Sequence, residues 1–182
     1  MRSSTSKYLG QSGLPQRVSG FSESAEHEEA QEKHINHGVY PCSMNFRYLP
    51  HTADAKIQAW GKTLEEAFSN AALGMFNLLI DPEEVKPAVE KQVRVAAKRK
   101  ESLLYDFLGE LLFFLDADKF ILHSIEDMHI HKVKNGFLLS CVAKGDVHTH
   151  YEVRGNIKSI TYSEMVIEEG KDKVLVQFVP DL

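Results

Sequence analysis

The run His51-Thr52-Ala53-Asp54 packs an imidazole, a hydroxyl and a carboxylate into consecutive positions just ahead of Ala55-Lys56-Ile57-Gln58-Ala59-Trp60-Gly61. Loops fixed to rigid elements are where binding and catalytic groups concentrate. At the far end, Val179-Pro180-Asp181-Leu182 sets two anions side by side, the Asp181 side chain and the α-carboxylate of Leu182. Were the Asp54 loop to lie beside that terminus, three carboxylates would converge. Such a cluster repels itself unless a cation or protons offset the charge. Oxygen-only ligands select hard cations such as Ca²⁺ or Mg²⁺ over zinc. Taken one at a time the features say less: an Asp ahead of a strand is commonly a turn residue, and a chain end is commonly frayed.

The other chemistry-bearing residues are less specific. His51 as a ligand would favour a transition metal; the preferred reading has its ring donating to a carboxylate and orienting the loop. Thr52 has no evident general base to make it a nucleophile. His148 and His150 flank Thr149 close to Asp146. On a strand they would share one face and could grip a metal; in a loop they would be solvated. Lys158 is either a solvent-facing strand residue or a contact for a phosphate or an acidic partner. His27, His34 and His37 are too irregularly spaced to argue for a metal tract.

Net charge is −5, from 21 Lys and Arg against 26 Asp and Glu. A protein that grips RNA by its backbone usually carries a basic face, so the balance favours a protein partner, a metal ion or both. The two cysteines, Cys42 and Cys141, form no CxxC pair, which argues against a thiolate zinc site. The apolar stretch at Leu111–Leu115 is far too short to span a bilayer. The polar N-terminus lacks the apolar centre of a secretory signal, so the expected compartment is the cytoplasm.

These residues must be held by a fold. Residues 1–43 are rich in Ser, Gly, Glu, Gln and His and keep no period; such a segment buries too little to offset its ordering entropy and predicts a flexible tail. A single domain is expected over 44–182. Within it, short strands are predicted at Phe46–Leu49 and Lys56–Trp60. Thr63-Leu64-Glu65-Glu66 is a capping box, and Leu64, Ala67, Phe68, Ala71, Ala72, Met75, Phe76 and Leu79 follow at helical spacing up to Asp81-Pro82. Alternation from Val89 to Ala97 predicts a third strand, and Leu103 to Leu115 the apolar face of a second helix. Lys119–Leu122 reads as a short strand. Asn135-Gly136 between Met128–Val133 and Phe137–Ala143 signals a type I′ hairpin. Gly145–Arg154 reads as a loop, Ile157–Glu168 as a long strand, and Val174–Val179 as the last one. Helices early and strands late point to α+β: two amphipathic helices on one face of a mixed, mostly antiparallel sheet.

Several of these segments together resemble the archease family. The matching pieces are His51-Thr52-Ala53-Asp54, Ala59-Trp60-Gly61, Thr63-Leu64-Glu65-Glu66-Ala67-Phe68, the helix holding Leu103 to Leu112, Ile157-Lys158-Ser159-Ile160-Thr161-Tyr162, and the terminal Asp181-Leu182. The resemblance covers residues 44–182. It implies a divalent metal, Ca²⁺ slightly ahead of Mg²⁺, on Asp54, Asp181 and Leu182. It implies supporting or partner-contacting roles for His51, Lys158 and His150. Counting back from Lys158, Tyr151 falls where that family carries a His, so either His150 serves after a one-residue gap or the role is lost. The implied activity is accessory: promoting guanylylation and repeated turnover of an RtcB-type RNA ligase in tRNA splicing, with tRNA involved only indirectly and no membrane. Two other readings stay open, a metal-dependent hydrolase using His51, Asp54 and Asp181, and a chaperone or RNA-binding module.

Overall fold

The structure is a computed structural model, and it describes residues 45–50 and 55–182. The expected tail, Cys42, His51, Thr52 and Asp54 lie outside the described residues.

The chain is α+β. Strand β1 (Phe46–Leu49) pairs antiparallel with β2 (Lys56–Gly61), with Leu49 opposite Lys56. Ile57 and Ala59 point inward from β2 and are buried, as their alternation requires. Helix α1 (Leu64–Phe76) follows. Its N-cap is Thr63, whose hydroxyl accepts from the Glu66 N–H at 3.2 Å. The Glu66 carboxylate reaches back to the N–H of Lys62 at 2.7 Å, one residue further than in the usual capping box. Ala67, Phe68, Ala71, Ala72, Met75 and Phe76 form its buried stripe. Strand β3 (Val89–Ala97) leads into helix α2 (Lys100–Asp118), which buries Leu103, Leu104, Phe107, Leu108, Leu111, Leu112 and Leu115. The two helices meet in one core, with the rings of Phe68 and Phe107 stacked 6.3 Å apart.

The second half departs from expectation in three places. A short strand at 119–122 and a separate one at 128–133 are instead a single strand, β4 (Phe120–Val133). It pairs with β5 (Gly136–Val147) through register shifts at Leu122/Ser124 and Glu126/His129. Asp127, at φ 49°, lies in the second irregularity. Bulges of this kind let a strand run on through residues that break alternation. The expected loop at Gly145–Arg154 begins three residues later, because β5 continues through Gly145, Asp146 and Val147. Third, the long strand expected over Ile157–Glu168 is broken into β6 (Ser159–Ile160) and β7 (Val166–Glu169). A turn between them carries Glu164 at φ 51°, with Met165 N donating to Tyr162 O. The halves have different partners: β7 pairs with β8 (Val174–Phe178), and β6 with β9 (Pro180–Asp181).

All pairings are antiparallel, so the expected mixed sheet resolves into separate ladders ordered β1-β2-β8-β7, β3-β5-β4 and β6-β9. Cys141 lies inside the second ladder, where burial pushes its thiol up to about 12 and makes it inert. Among the described residues no helix is long and apolar enough to cross a membrane.

Candidate functional site

The chain end is not frayed. Strand β8 buries Val176 and Phe178, and Val179 and Pro180 continue into the interior. Beyond them Asp181 pairs with Ser159 and Pro180 with Ile160. The Lys158 N–H donates to the Asp181 carbonyl at 2.8 Å, and the Thr161 hydroxyl to the Val179 carbonyl at 2.8 Å. The Lys158 ammonium reaches the backbone oxygen of Leu182. The sequence reading left Lys158 as a solvent-facing residue, a phosphate or partner contact, or a supporting residue of the site; its ammonium contacts the terminus itself. Thr161 was not singled out, though its place two residues beyond Ser159 on the same strand alternation marked it.

Backbone pairing also fixes which end of the sheet this is. Ile57 on β2 lies opposite Phe178 on β8, and the two strands run antiparallel. The chain before Lys56 and the chain after Phe178 therefore leave by the same end. Leu49, opposite Lys56, ends β1 at that same end. Tyr48 is anchored at that end: its hydroxyl donates to the Gly74 carbonyl at 2.8 Å and accepts from Asn77 Nδ2 at 3.0 Å. The buried amide of Asn77 is thereby satisfied.

The His-x-His segment is neither a strand nor a free loop. His148–His150 form a single 3-10 turn, held by His148 N on the Lys119 carbonyl at 2.7 Å. Arg154 N, further along, donates to the Leu79 carbonyl at 2.7 Å. The two imidazoles do not share a ligand. His150 Nδ1 lies 3.4 Å from Asp146, and Tyr151 donates to the same carboxylate at 2.9 Å. Both candidates for one position thus converge on Asp146. Its pKa is lowered, first by the Val147 N–H at 2.8 Å, then by the Tyr151 hydroxyl and His150. The Lys86 N–H donates to the Tyr151 oxygen at 3.0 Å, which alone would lower the phenol's pKa; burial and the Asp146 charge outweigh it, and the net shift is upward.

A carboxyl held low in the folded state stabilises above its ordinary pKa near 3.9, and the contribution is lost as pH falls through the lower folded value. Tyr151→Phe removes one donor from Asp146 and leaves the Lys86 N–H without its acceptor. The expected outcome is a lower melting temperature at pH 7 and a shallower loss of stability below about pH 4. Thermal melts between pH 3 and 7 check it; an unchanged acid limb would mean that the hydroxyl does not hold the carboxylate.

Among the described residues, no three His, Cys, Asp or Glu side chains converge as a metal-ligand set. Asp181 and Leu182 stand together, whereas Asp146, His150 and Tyr151 form a separate cluster with no hydrogen bond to them.

The description of the archease protein family matches residues 46–182. The chain belongs to the archease family. Relatives named protein archease include one from Thermococcus gammatolerans, 38% identical over 140 residues, covering 75% of this chain and 98% of the relative. Another, from Danio rerio, is 34% identical over 143 residues, covering 76% of this chain and 86% of the relative. The solution structure of Methanobacterium thermoautotrophicum protein 1598 superposes with a TM-score of 0.66 at 33% identity, covering 76% of this chain and 99% of that one. The archease match begins at β1 and ends at Leu182, so it takes in both the β1–β2 connection and the paired terminus.

Proposed function

We propose that this archease is a non-enzymatic activator of an RtcB-type RNA ligase in tRNA splicing, acting through a divalent-metal carboxylate site made of Asp54, Asp181 and the Leu182 carboxylate. The carrying observation is the terminus held as a strand instead of frayed, with Asp181 paired to Ser159 and Leu182 contacted by the Lys158 ammonium. Antiparallel pairing of β2 and β8 puts the start of β2, two residues after Asp54 in sequence, at the same end of the sheet as the end of β8, and this supports bringing Asp54 and Asp181 into one site.

The donor set fits a hard cation. It is all oxygen, it concentrates negative charge, and the ammonium of Lys158 already partly offsets that charge at Leu182. Ca²⁺ accepts irregular oxygen cages more readily than Mg²⁺ and is the slightly favoured ion. Such an ion would supply positive charge to anionic groups of a nucleotide. The chain's own residues supply placement. The β6–β9 ribbon fixes the Asp181 backbone, the Thr161 hydroxyl holds the strand at Val179, and Lys158 orients the terminal group. His51 is assigned to orienting the Asp54 loop. His150, held on Asp146, belongs to the neighbouring turn and is free to contact the partner through its exposed edge. A chain with net charge −5 suits an acidic tip entering a basic, nucleotide-binding cleft. It acts by favouring one state of its partner.

Mixing the protein with its cognate ligase, GTP and a divalent metal is expected to accelerate ligase guanylylation. No acceleration at equimolar protein would contradict the proposal.

A further inference from the structure

The net charge of −5 conceals a strong segregation. The β3-β5-β4 ladder has one buried face, carrying Val93, Leu139, Cys141 and Ala143. The other face is open. Along it the register sets Glu90 beside Lys144, Gln92 beside Val142 and Glu126, Arg94 beside Ser140 and His129, and Ala96 beside Leu138 and His131. The carboxylates at the first end are taken up: Glu90 and Glu126 both pair with Lys144, at 3.4 and 2.8 Å. The second end carries more cations and imidazoles than carboxylates: Glu65 accepts from the Ile130 N–H there, and Glu169 pairs with Lys100. Beyond Ala97 the chain continues Lys98-Arg99-Lys100, and the β4–β5 hairpin reads Lys132-Val133-Lys134-Asn135-Gly136.

Pairing of Ala97 with Phe137 brings these two basic runs together. The approach is close enough that a Cβ on Gly136, at φ +144°, would sit 2.1 Å from the Ala97 carbonyl. Lys100 is occupied by Glu169. Arg94, Lys98, Arg99, Lys132 and Lys134 are all exposed, and among the described residues none has an ion-pair partner. His129 and His131 project from the same face, exposed, with rings 5.9 Å apart and 11° from parallel.

We infer that this open end of the β3-β5-β4 sheet binds the phosphodiester backbone of single-stranded RNA. Like charges held this close repel one another and are relieved by a polyanion, whose counterions they displace. An acidic protein surface would use only the cations. The parallel imidazoles add planar faces on which unpaired bases stack. The inference does not rest on the ligase reading, since it concerns a different surface and the protein alone.

The test is anisotropy of a labelled, unstructured RNA 20-mer titrated with the full chain between 50 and 200 mM salt. Binding is expected with a log–log salt slope of roughly −3, since each engaged phosphate contributes about −0.7. Lys132→Glu/Lys134→Glu should weaken binding by at least about tenfold at the low-salt end and flatten the slope by about 1.4. Lys86→Glu/Arg154→Glu removes the same charge beyond the opposite end of β3, roughly 30 Å away at 3.3 Å per residue. It should leave affinity within about twofold. His129→Ala/His131→Ala should weaken RNA binding without altering the salt slope. All variants lie on the surface, and unchanged melting temperatures confirm their folding. Equal losses in the two charge-reversed pairs would overturn the inference by reducing it to net charge. So would the absence of RNA binding at 50 mM salt, or capture of poly-glutamate in preference to RNA, which would make an acidic protein the occupant.

Discussion

Appending two glycines after Leu182 is expected to abolish ligase activation while leaving the metal-free melting temperature unchanged. The extension replaces the terminal carboxylate by a neutral peptide carbonyl. The pairing of Asp181 with Ser159 and the hydrogen bond from Lys158 N survive, because both use backbone upstream of the change. What is lost is one anionic donor of the proposed cation site. Loss of a group that merely supports a ligand commonly costs 10–100-fold in metal affinity, so loss of a ligand should exceed about 100-fold. Calorimetric Ca²⁺ titration of the two chains measures it. Equal affinity would remove Leu182 from the site even if activation fell. Asp181→Asn provides the companion variant, keeping the ribbon and removing the neighbouring charge.

The largest expected effect on stability lies at Gly145. Its Cα faces β4 so closely that a Cβ would stand 1.9 Å from the Ile121 carbonyl oxygen and 2.8 Å from Phe120 Cζ. The first neighbour is the backbone of a paired strand and cannot swing aside. Gly145→Ala therefore forces β4 and β5 apart where Leu122 and Phe120 enter the core. Overpacking of this kind costs about 3 kcal/mol at the upper end of its range, against a total stability of about 5–15 kcal/mol for a domain. A fall in melting temperature of about 10 °C is expected. The displacement would also disturb Asp146, the next residue, and with it the hydrogen bonds from Tyr151 and His150. A shift under about 2 °C would show that the strands part without penalty.

The elements legible from sequence are those specified locally. The capping box and the apolar stripes of α1 and α2 each state their structure within a few residues and form where expected. The hairpin forms as well, but its two-residue turn is Lys134-Asn135: Gly136 already pairs with Val133 and Asn135 is not at positive φ, so the expected type I′ turn on Asn135-Gly136 is not the one made. The departures have non-local causes. Nothing near Glu126 and Asp127 says that the strand resumes after a bulge; that follows from pairing with β5. Ile157–Glu168 alternates well enough for one strand, but its first half answers to β9 at the chain end and its second half to β8 across the adjacent turn. Gly145 read as a loop residue because a glycine required by close strand packing looks the same as one required by a turn.

The site divides the same way. Asp181 and Leu182 were suspected as a pair from their adjacency together with the archease resemblance, whereas the strand that holds them and the ammonium beside them are tertiary facts. Tyr151 stood out as a residue where a His was expected. Only the fold places it and His150 on one carboxylate. Net charge argued against nucleic acid; strand register, which gathers Lys98, Arg99, Lys132 and Lys134, is invisible to a charge sum.

The most direct measurement is the rate of ligase guanylylation from GTP with catalytic amounts of this protein, comparing the native chain, Asp54→Asn, Asp181→Asn and the chain extended beyond Leu182. Strong stimulation by the native chain and none by the three variants, all with native melting temperatures, is the expected result. Full stimulation by the extended chain and by Asp181→Asn would contradict a role for the carboxylate terminus.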